Sequence, residues 1–363
     1  MGIVTTVPTG LQNMNENKNI QSTVRPQGAD MVELTFDPAE ARVTEKPQDP
    51  RRASLGRLIF ADRFFKLLTR SAAAFVLLIL FGVIFTLVEG SIPALREFGI
   101  SFVWTEDWNP VKERFGALAP IYGTLVTSII AMLVAVPIGL GIAIFLTELC
   151  PIWLRRPIGT AIELLAGIPS IIYGIWGLFI FAPFLQQYVQ PVLISTLGNV
   201  PGIGWLFAGP PYGIGVLTAG LILAIMVLPF IASITRDVFD TVPPVLKESA
   251  YGLGATTWEV VWKVVLPYTR AGVIGGIMLA LGRALGETMA VTFVIGNAHR
   301  ISASILQPGT TISASIANEF VEAIQVLHTS SLMSLGLILF VITFIVLAAA
   351  RLLLASLNKR AGG

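Results

Sequence analysis

The chain has 363 residues, of which 54% are apolar and 13% are charged. Soluble domains carry about 25% charged residues, so this composition excludes a soluble globular protein. The mean hydropathy of +0.78 indicates an integral membrane protein. A net charge of +2 gives no sign of nucleic-acid binding, and a single cysteine excludes an intrachain disulfide. The two histidines, His299 and His328, favour neither a histidine metal site nor a Ser/His/Asp hydrolase.

Residues 1–50 are polar, rich in Asn, Gln, Thr, Glu and Pro, and contain no apolar run. They predict a disordered cytoplasmic tail rather than a signal peptide. Residues 51–71 are basic and carry apolar side chains at near-helical spacing. This pattern predicts an amphipathic helix on the inner membrane surface, with a cytoplasmic extension of the first span as an equal alternative.

A spanning helix needs about 20 mostly apolar residues. Six segments satisfy this: 72–88, 121–146, 158–185, 214–234, 271–295 and 332–354. The sequence therefore predicts an all-α, polytopic domain over residues 72–357, in contact with membrane lipid, followed by a C-terminal segment, 358–363. Fifteen Lys and Arg residues flank the spans on one side and four lie in the alternate loops. The positive-inside rule accordingly predicts an inner-membrane protein with both termini in the cytoplasm.

Proline interrupts two of the predicted spans, at Pro137 in the second and at Pro169 in the third. Each is expected to kink or tilt its helix. A tolerated kink is the simpler interpretation, because proline is common in membrane helices. Ser170 is still a candidate residue of a substrate pathway, since its hydroxyl can donate a hydrogen bond to an anion.

The loop between the fourth and fifth predicted spans, residues 236–270, is unusually ordered for a cytoplasmic loop. Residues 243–251 have helical composition, Gly252 and Gly254 provide a turn, and a second amphipathic helix follows. The pattern predicts a short helix that projects from the membrane and turns back. Such a protrusion suits insertion into a groove of a cytoplasmic partner.

The same loop contains residues at fixed offsets: Glu248-Ser249-Ala250, then Gly254, Val264 and Leu266-Pro267. This spacing resembles the EAA signature of ABC importer permeases, with serine for alanine at 249 and valine for isoleucine at 264 as mild departures. The resemblance implies a type I ABC importer permease fold, in which the loop is the coupling helix that docks on the ATP-hydrolysing subunit. The predicted ATPase-coupling residues are Glu248, Ser249, Ala250, Gly254, Leu266 and Pro267. An ordinary helical cytoplasmic loop is the alternative.

Two full charges, Arg283 and Glu287, lie inside the fifth predicted span. A charge at mid-membrane costs about 2.5–3.5 kcal/mol on the insertion scale, so both are expected to face protein or a water-filled path. Four residues apart, they share one face of a helix. They form a structural salt bridge, part of a substrate path, or both together. A guanidinium offers a planar fork of donors that matches oxyanions such as phosphate, with the glutamate holding it when no anion is bound.

Three segments extend the resemblance to the permeases of phosphate importers: 166–175, 283–290 and 337–343. Together with the coupling loop, the resemblance covers residues 70–357 and leaves the 1–50 tail outside. It implies that the chain forms half of the translocation path for inorganic phosphate. The partners it implies are a sister permease (PstA), two copies of an ATPase (PstB) and a periplasmic phosphate-binding protein (PstS).

The chain has no Gly-Lys pair and hence no phosphate-binding loop of the Gly-Lys-Ser/Thr type. We therefore expect no enzyme activity and no cofactor in this chain, with ATP bound by the partner ATPase. One alternative is an ABC permease for another oxyanion, such as sulfate or molybdate. A second, of a different class, is a stand-alone ion-driven carrier, which requires internal repeats that the sequence does not show clearly.

Overall fold

The computed structural model describes residues 50–361, with side chains described at 60–352 and 354–355. Residues 1–49 of the predicted tail and residues 362–363 lie outside the described residues. The chain divides into two units, Met1–Thr69 and Arg70–Gly363. All of the predicted site residues belong to the second unit.

The secondary structure of residues 50–361 is helical, with no strand. In chain order the longer helices are α1 (Pro50–Phe98), α2 (Leu118–Leu149), α3 (Ile152–Ala166), α4 (Ser170–Thr196), α5 (Val216–Phe239), α6 (Pro244–Gly252), α7 (Thr257–Leu285), α8 (Ile312–Glu319) and α9 (Val326–Ala361). Among the described residues, six of these helices (α1, α2, α4, α5, α7 and α9) are long and apolar enough to cross a membrane. The predicted all-α architecture with six spans is confirmed.

The helix α1 runs without a break from Pro50 to Phe98. No helix end therefore marks residue 72, where the first span is predicted to begin. The position of residues 51–71 on the membrane surface stays a prediction. Near its C-terminal end α1 packs on α9, where the Ala94 amide donates to Ser330 Oγ at 2.9 Å. This contact fixes the end of α1 that lies next to α8 and α9.

The helix α5 forms the centre of the bundle. Of its most apolar window 61% is buried, against 28% or less for the other spanning helices in the described chain. Glycines allow α2 to approach it closely, since a Cβ on Gly139 would lie 2.8 Å from Ile231 Cγ2 and one on Gly220 would lie 2.7 Å from Ile130 Cγ2. The other spanning helices keep open faces, which lipid or another chain must cover.

The third span begins later than predicted. Residues 158–166 belong to a separate helix, α3, and the spanning helix α4 starts only at Ser170. Pro169 accounts for the break, because it cannot donate to the helix ladder and it disfavours helical geometry at Ile168. The sequence predicts a kink at this point, whereas the structure has two distinct helices.

The fifth span is displaced in the opposite sense. It starts at Thr257 and ends at Leu285, instead of running over residues 271–295. Gly286 ends the helix, and the chain continues through a short separate helix, Met289–Thr292. Glycine is among the weakest helix formers, which makes position 286 a natural end point. As a consequence, Glu287 does not lie in the spanning helix.

Candidate functional site

The predicted coupling segment forms a helix, a turn and a second helix, as the sequence indicates. Pro244 opens α6 at its first position, where a proline is well tolerated. After α6 ends at Gly252, Gly254 adopts a φ of +84°, a conformation that side chains with a Cβ rarely enter. Thr256 and Glu259 then form a capping box that starts α7. The tight reversal therefore depends on one left-handed glycine followed by a capped helix start.

The predicted coupling residues divide into two groups in the structure. Glu248, Ser249, Gly254 and Pro267 are exposed. Ala250 and Leu266 instead pack against a buried apolar cluster formed by the ends of α2, α5 and α7, including Ala143, Phe239 and Val265. The first group can contact a partner, whereas the second anchors the segment to the bundle.

Sequence reasoning missed the apolar surface of this segment. Leu253 is 90% exposed and Trp258 is 68% exposed, while Trp262 lies beside Trp258 with ring centroids 5.2 Å apart. Two tryptophans four residues apart, within the predicted coupling loop, were the available signal. Exposed apolar side chains of this kind mark an interaction surface.

The depth of Arg283 follows from the packing of α7 on α5. A Cβ on Gly272 would lie 2.6 Å from Val238 Cγ1, and one on Gly276 would lie 2.7 Å from Ile234 Cγ2. The two helices thus run antiparallel in a fixed register. Continued along α7, this register puts Arg283 level with Val227, the middle of α5.

The structure corrects the predicted relation between Arg283 and Glu287. Because α7 ends at Leu285, the two residues do not share a helical face, and no ion pair joins them among the described side chains. The Glu287 carboxylate accepts a hydrogen bond from the Ala290 amide at 3.3 Å, across the start of the short helix Met289–Thr292. Arg283 is exposed. The predictions of a mutual salt bridge and of a glutamate that holds the guanidinium are therefore wrong.

Ser170 lies at the first position of α4, half-buried, and no described hydrogen bond joins it to Arg283 or Glu287. Its helix nevertheless adjoins the break in the fifth span. A Cβ on Gly174 would lie 3.0 Å from the Met289 carbonyl oxygen and 3.2 Å from Ala290 Cα. The start of α4, after the break at Pro169, thus lies against the chain that follows the end of α7, close to Arg283 in sequence. Interrupted spans that meet in this way are typical of substrate sites in transporters.

Gly174→Ala is expected to destabilise the protein by about 2 kcal/mol, because the new methyl meets backbone that cannot easily move. If the new methyl pushes the backbone at Met289 and Ala290 away from α4, the two interrupted spans separate, and transport should fall. Thermal unfolding in detergent and an uptake assay measure both effects. Gly141→Ala is the matched control, since a Cβ at Gly141 would have no atom within 4 Å. Equal melting temperatures for the two variants would contradict the close contact.

At the α8 end of the bundle, both histidines of the chain converge on one carboxylate. Glu319 accepts a hydrogen bond from Trp108 Nε1 at 2.8 Å and lies 2.9 Å from His328 Nε2 and 3.3 Å from His299 Nε2. The ring of His299 stacks on Trp108 with centroids 5.0 Å apart. The side chain of His299 is only 16% exposed. The cluster joins Trp108 to residues almost 200 or more positions later in the sequence.

Burial lowers the pKa of His299, while the negative charge of Glu319 acts in the opposite direction. The folded protein thus holds His299 neutral at a pH where the unfolded chain already binds a proton. Stability from this site is present above the ordinary histidine pKa of about 6.5 and is lost as the pH falls through the lowered value.

We expect His299→Gln to reduce the drop in melting temperature between about pH 7.5 and about pH 5.5, because the variant takes up no proton at this position. Glu319 and His328 remain in the variant and keep their own contribution. An unchanged drop would assign the acid sensitivity to other groups. Thermal scans of the purified protein at both pH values make the comparison.

Comparison with known proteins identifies the family. Residues 135–360 match the family described as "Binding-protein-dependent transport system inner membrane component". The chain is 67% identical over 312 residues to the "Phosphate transport system permease protein PstC" of Mesorhizobium japonicum, covering 86% of this chain and 95% of that protein. The PstC of Pasteurella multocida is 61% identical, over 83% of this chain and 94% of its own.

The chain belongs to the PstC family of ABC importer permeases. A "Probable phosphate transport system permease protein PstC" of Methanocaldococcus jannaschii is 42% identical, over 78% of this chain and 90% of its own. Family membership makes the chain a multi-pass inner-membrane subunit of an ABC transport system, which works with an ATPase and a binding protein. The predicted resemblance is confirmed.

A solved structure supports the fold. The "Crystal structure of bacterial alginate ABC transporter in complex with alginate pentasaccharide-bound periplasmic protein" matches with a TM-score of 0.54. The match covers 81% of this chain and 94% of that chain at 16% sequence identity. At this identity the likeness concerns the helical arrangement alone. For the PstC member described here, it confirms the type I ABC permease fold.

Proposed function

We propose that this chain forms half of the translocation path for inorganic phosphate in an ATP-driven importer. Two kinds of observation support phosphate as the substrate. The relatives that match most of the chain carry the name of phosphate transport permeases. The guanidinium of Arg283 is also exposed and without an ion-pair partner among the described side chains, and guanidinium groups bind phosphate oxygens in a bidentate manner. Sulfate and molybdate have only the second kind of support.

The observation that carries the proposal is the exposed Arg283, which has no ion-pair partner among the described side chains and is level with the middle of α5. A charge at this depth is unfavourable against lipid, so the face of α7 that carries it must line water or another protein. The meeting of the interrupted third and fifth spans next to it supports a pathway. We assign Arg283 to the path, with Ser170 and Glu287 bordering it on the adjoining helix starts.

The partners follow from the same proposal. A sister permease of the PstA kind covers the open face of α7 and completes the path, and a PstS-type protein delivers phosphate at the α8 end. Two PstB-type ATPases bind and hydrolyse ATP, so this chain itself is not an enzyme and holds no cofactor. The exposed residues of α6, with Leu253 and the two tryptophans, dock on one ATPase. Both chain termini then lie in the cytoplasm, as the charge distribution predicts.

Reconstitution tests the proposal. The tagged chain, purified with its bound partners and placed in proteoliposomes, is expected to accumulate phosphate only when ATP is supplied on the α6 side. Sulfate at equal concentration should not accumulate. Transport of anions by the chain alone, with no ATPase bound, would favour the ion-driven carrier and overturn the proposal.

A further inference from the structure

Three ion pairs join neighbouring segments at the α6 end of the bundle. Lys247 Nζ of α6 lies 2.6 Å from Glu148 Oε1 of α2, and Arg236 Nη2 of α5 lies 2.6 Å from Glu163 Oε1 of α3. The third pair joins Arg155 of α3 to Asp240, which directly follows α5. Only the first of these pairs contains a residue of the coupling helix α6.

The Lys247–Glu148 pair differs from the other two in burial. The Glu148 side chain is 6% exposed and the Lys247 side chain is 20% exposed, whereas Glu163 and Asp240 are each about half exposed. Exposed pairs contribute little because water screens them. A buried pair is costly to break, since removing one partner leaves an uncompensated charge. We therefore expect this pair to stay joined when either partner is displaced.

The two partners connect opposite parts of the proposed mechanism. In α6, Lys247 turns toward the bundle while the next residue, Glu248, is exposed on the face proposed to meet the ATPase. Glu148 lies in the π turn Phe145–Leu149 that ends α2. Wide turns of this kind are frequent at functional positions in helices.

From Glu148 the contact continues into the membrane. The helix α2 packs along α5 through Gly139 and Ile231. Ile231 lies one helical turn from Val227, the residue of α5 that is level with Arg283. A displacement of α6 by the ATPase thus has a contiguous route of packed groups to the depth of the proposed path.

We propose that Glu148 is a positioning residue that couples the motion of α6 to α2 through its buried ion pair with Lys247. The inference rests on the proposed function, because it assumes that an ATPase moves α6. Because the Glu148 side chain is only 6% exposed, we do not expect it to contact the ATPase itself. Its removal is therefore expected to separate ATP hydrolysis from transport, and not to prevent docking.

The experiment compares variants of the whole complex in proteoliposomes by the ratio of phosphate transported to ATP hydrolysed. This ratio does not depend on how much complex survives purification. Glu148→Gln should keep the ATPase bound and hydrolysing, with a ratio lowered about five-fold or more. The exchanged variant, Glu148→Lys with Lys247→Glu, should restore most of the ratio. Lys263→Met is the matched control, since its pair with Glu259 in α7 is exposed.

A wild-type ratio in Glu148→Gln would overturn the inference, and so would an exchanged variant as defective as the single one. If Glu148→Gln fails to assemble, the exchanged variant decides alone: an assembled, coupled complex supports the pair and an uncoupled one overturns it. The proposed function fails separately, when the wild-type complex contains no ATPase or moves no phosphate.

Discussion

Replacing Arg283 with glutamine is expected to lower ATP-driven phosphate uptake by about 30-fold or more, while the complex stays assembled. Glutamine keeps hydrogen-bonding groups of similar reach but removes the positive charge and the planar fork of donors. Loss of one partner in a desolvated charged contact costs about 2 kcal/mol or more, which gives the size of the effect. Uptake of labelled phosphate and co-purification of the partner subunits measure the two parts of the expectation.

Two further variants sharpen this test. Arg283→Lys keeps the charge without the bidentate geometry, so it should retain an intermediate rate. Arg96→Gln removes an exposed charge near the end of α1 and should leave uptake unchanged. Dissociation of the complex in Arg283→Gln would assign the guanidinium to subunit packing, and the pathway assignment would then be wrong.

The number of spans and the coupling loop could be predicted from the sequence because both depend on local signals. Span length follows from runs of apolar residues, and the coupling segment from the fixed offsets that link Glu248 to Gly254 and Pro267. Gly254 adopts the left-handed conformation that a tight reversal requires. At this position the residue type in the sequence and the backbone conformation in the structure agree.

The ends of helices inside the membrane were harder to predict from the sequence. Apolar composition continues through Gly286, so hydropathy alone extends the fifth span to residue 295 and gives Arg283 and Glu287 a common face. The structure ends the helix there and packs the following turn against Gly174, a residue more than 100 positions away in sequence. Tertiary packing, which a single sequence does not reveal, determines this break.

The cluster around Glu319, at the α8 end, likewise could not be predicted from a single sequence. Trp108 and Glu319 are 211 residues apart, and each of the three polar partners of this carboxylate comes from a different segment. Nothing in the spacing of Trp108, His299 and His328 indicates that they meet. The burial of His299 becomes understandable only when the helices that carry its neighbours are packed.

The open face of α7 connects the fold to the proposed mechanism. A bundle centred on α5 buries one helix well and leaves the others partly uncovered, as expected for one member of a permease pair. Arg283 lies on such an uncovered face at mid-depth, where lipid is an unfavourable neighbour. In the proposed complex a second permease would cover this face, which accounts for both the incomplete burial of this chain and the exposure of Arg283.

Gly254→Val is expected to weaken co-purification of the ATPase about ten-fold. Valine at a φ of +84° is strained by about 1–2 kcal/mol, so the turn after α6 should shift to another backbone conformation and misdirect Glu248 and Leu253. A Cβ at Gly254 would have no atom within 4 Å, so the expected effect comes from the backbone conformation and not from a clash at Cβ.

Gly252→Val is the matched control for this backbone effect. Gly252 is exposed, a Cβ there would also have no atom within 4 Å, and the residue lies in α6 with helical geometry that valine can adopt. The control should therefore keep the ATPase bound. Equal loss in both variants would show that added bulk, and not the left-handed turn, disturbs docking; equal retention would show that the turn does not direct the docking surface.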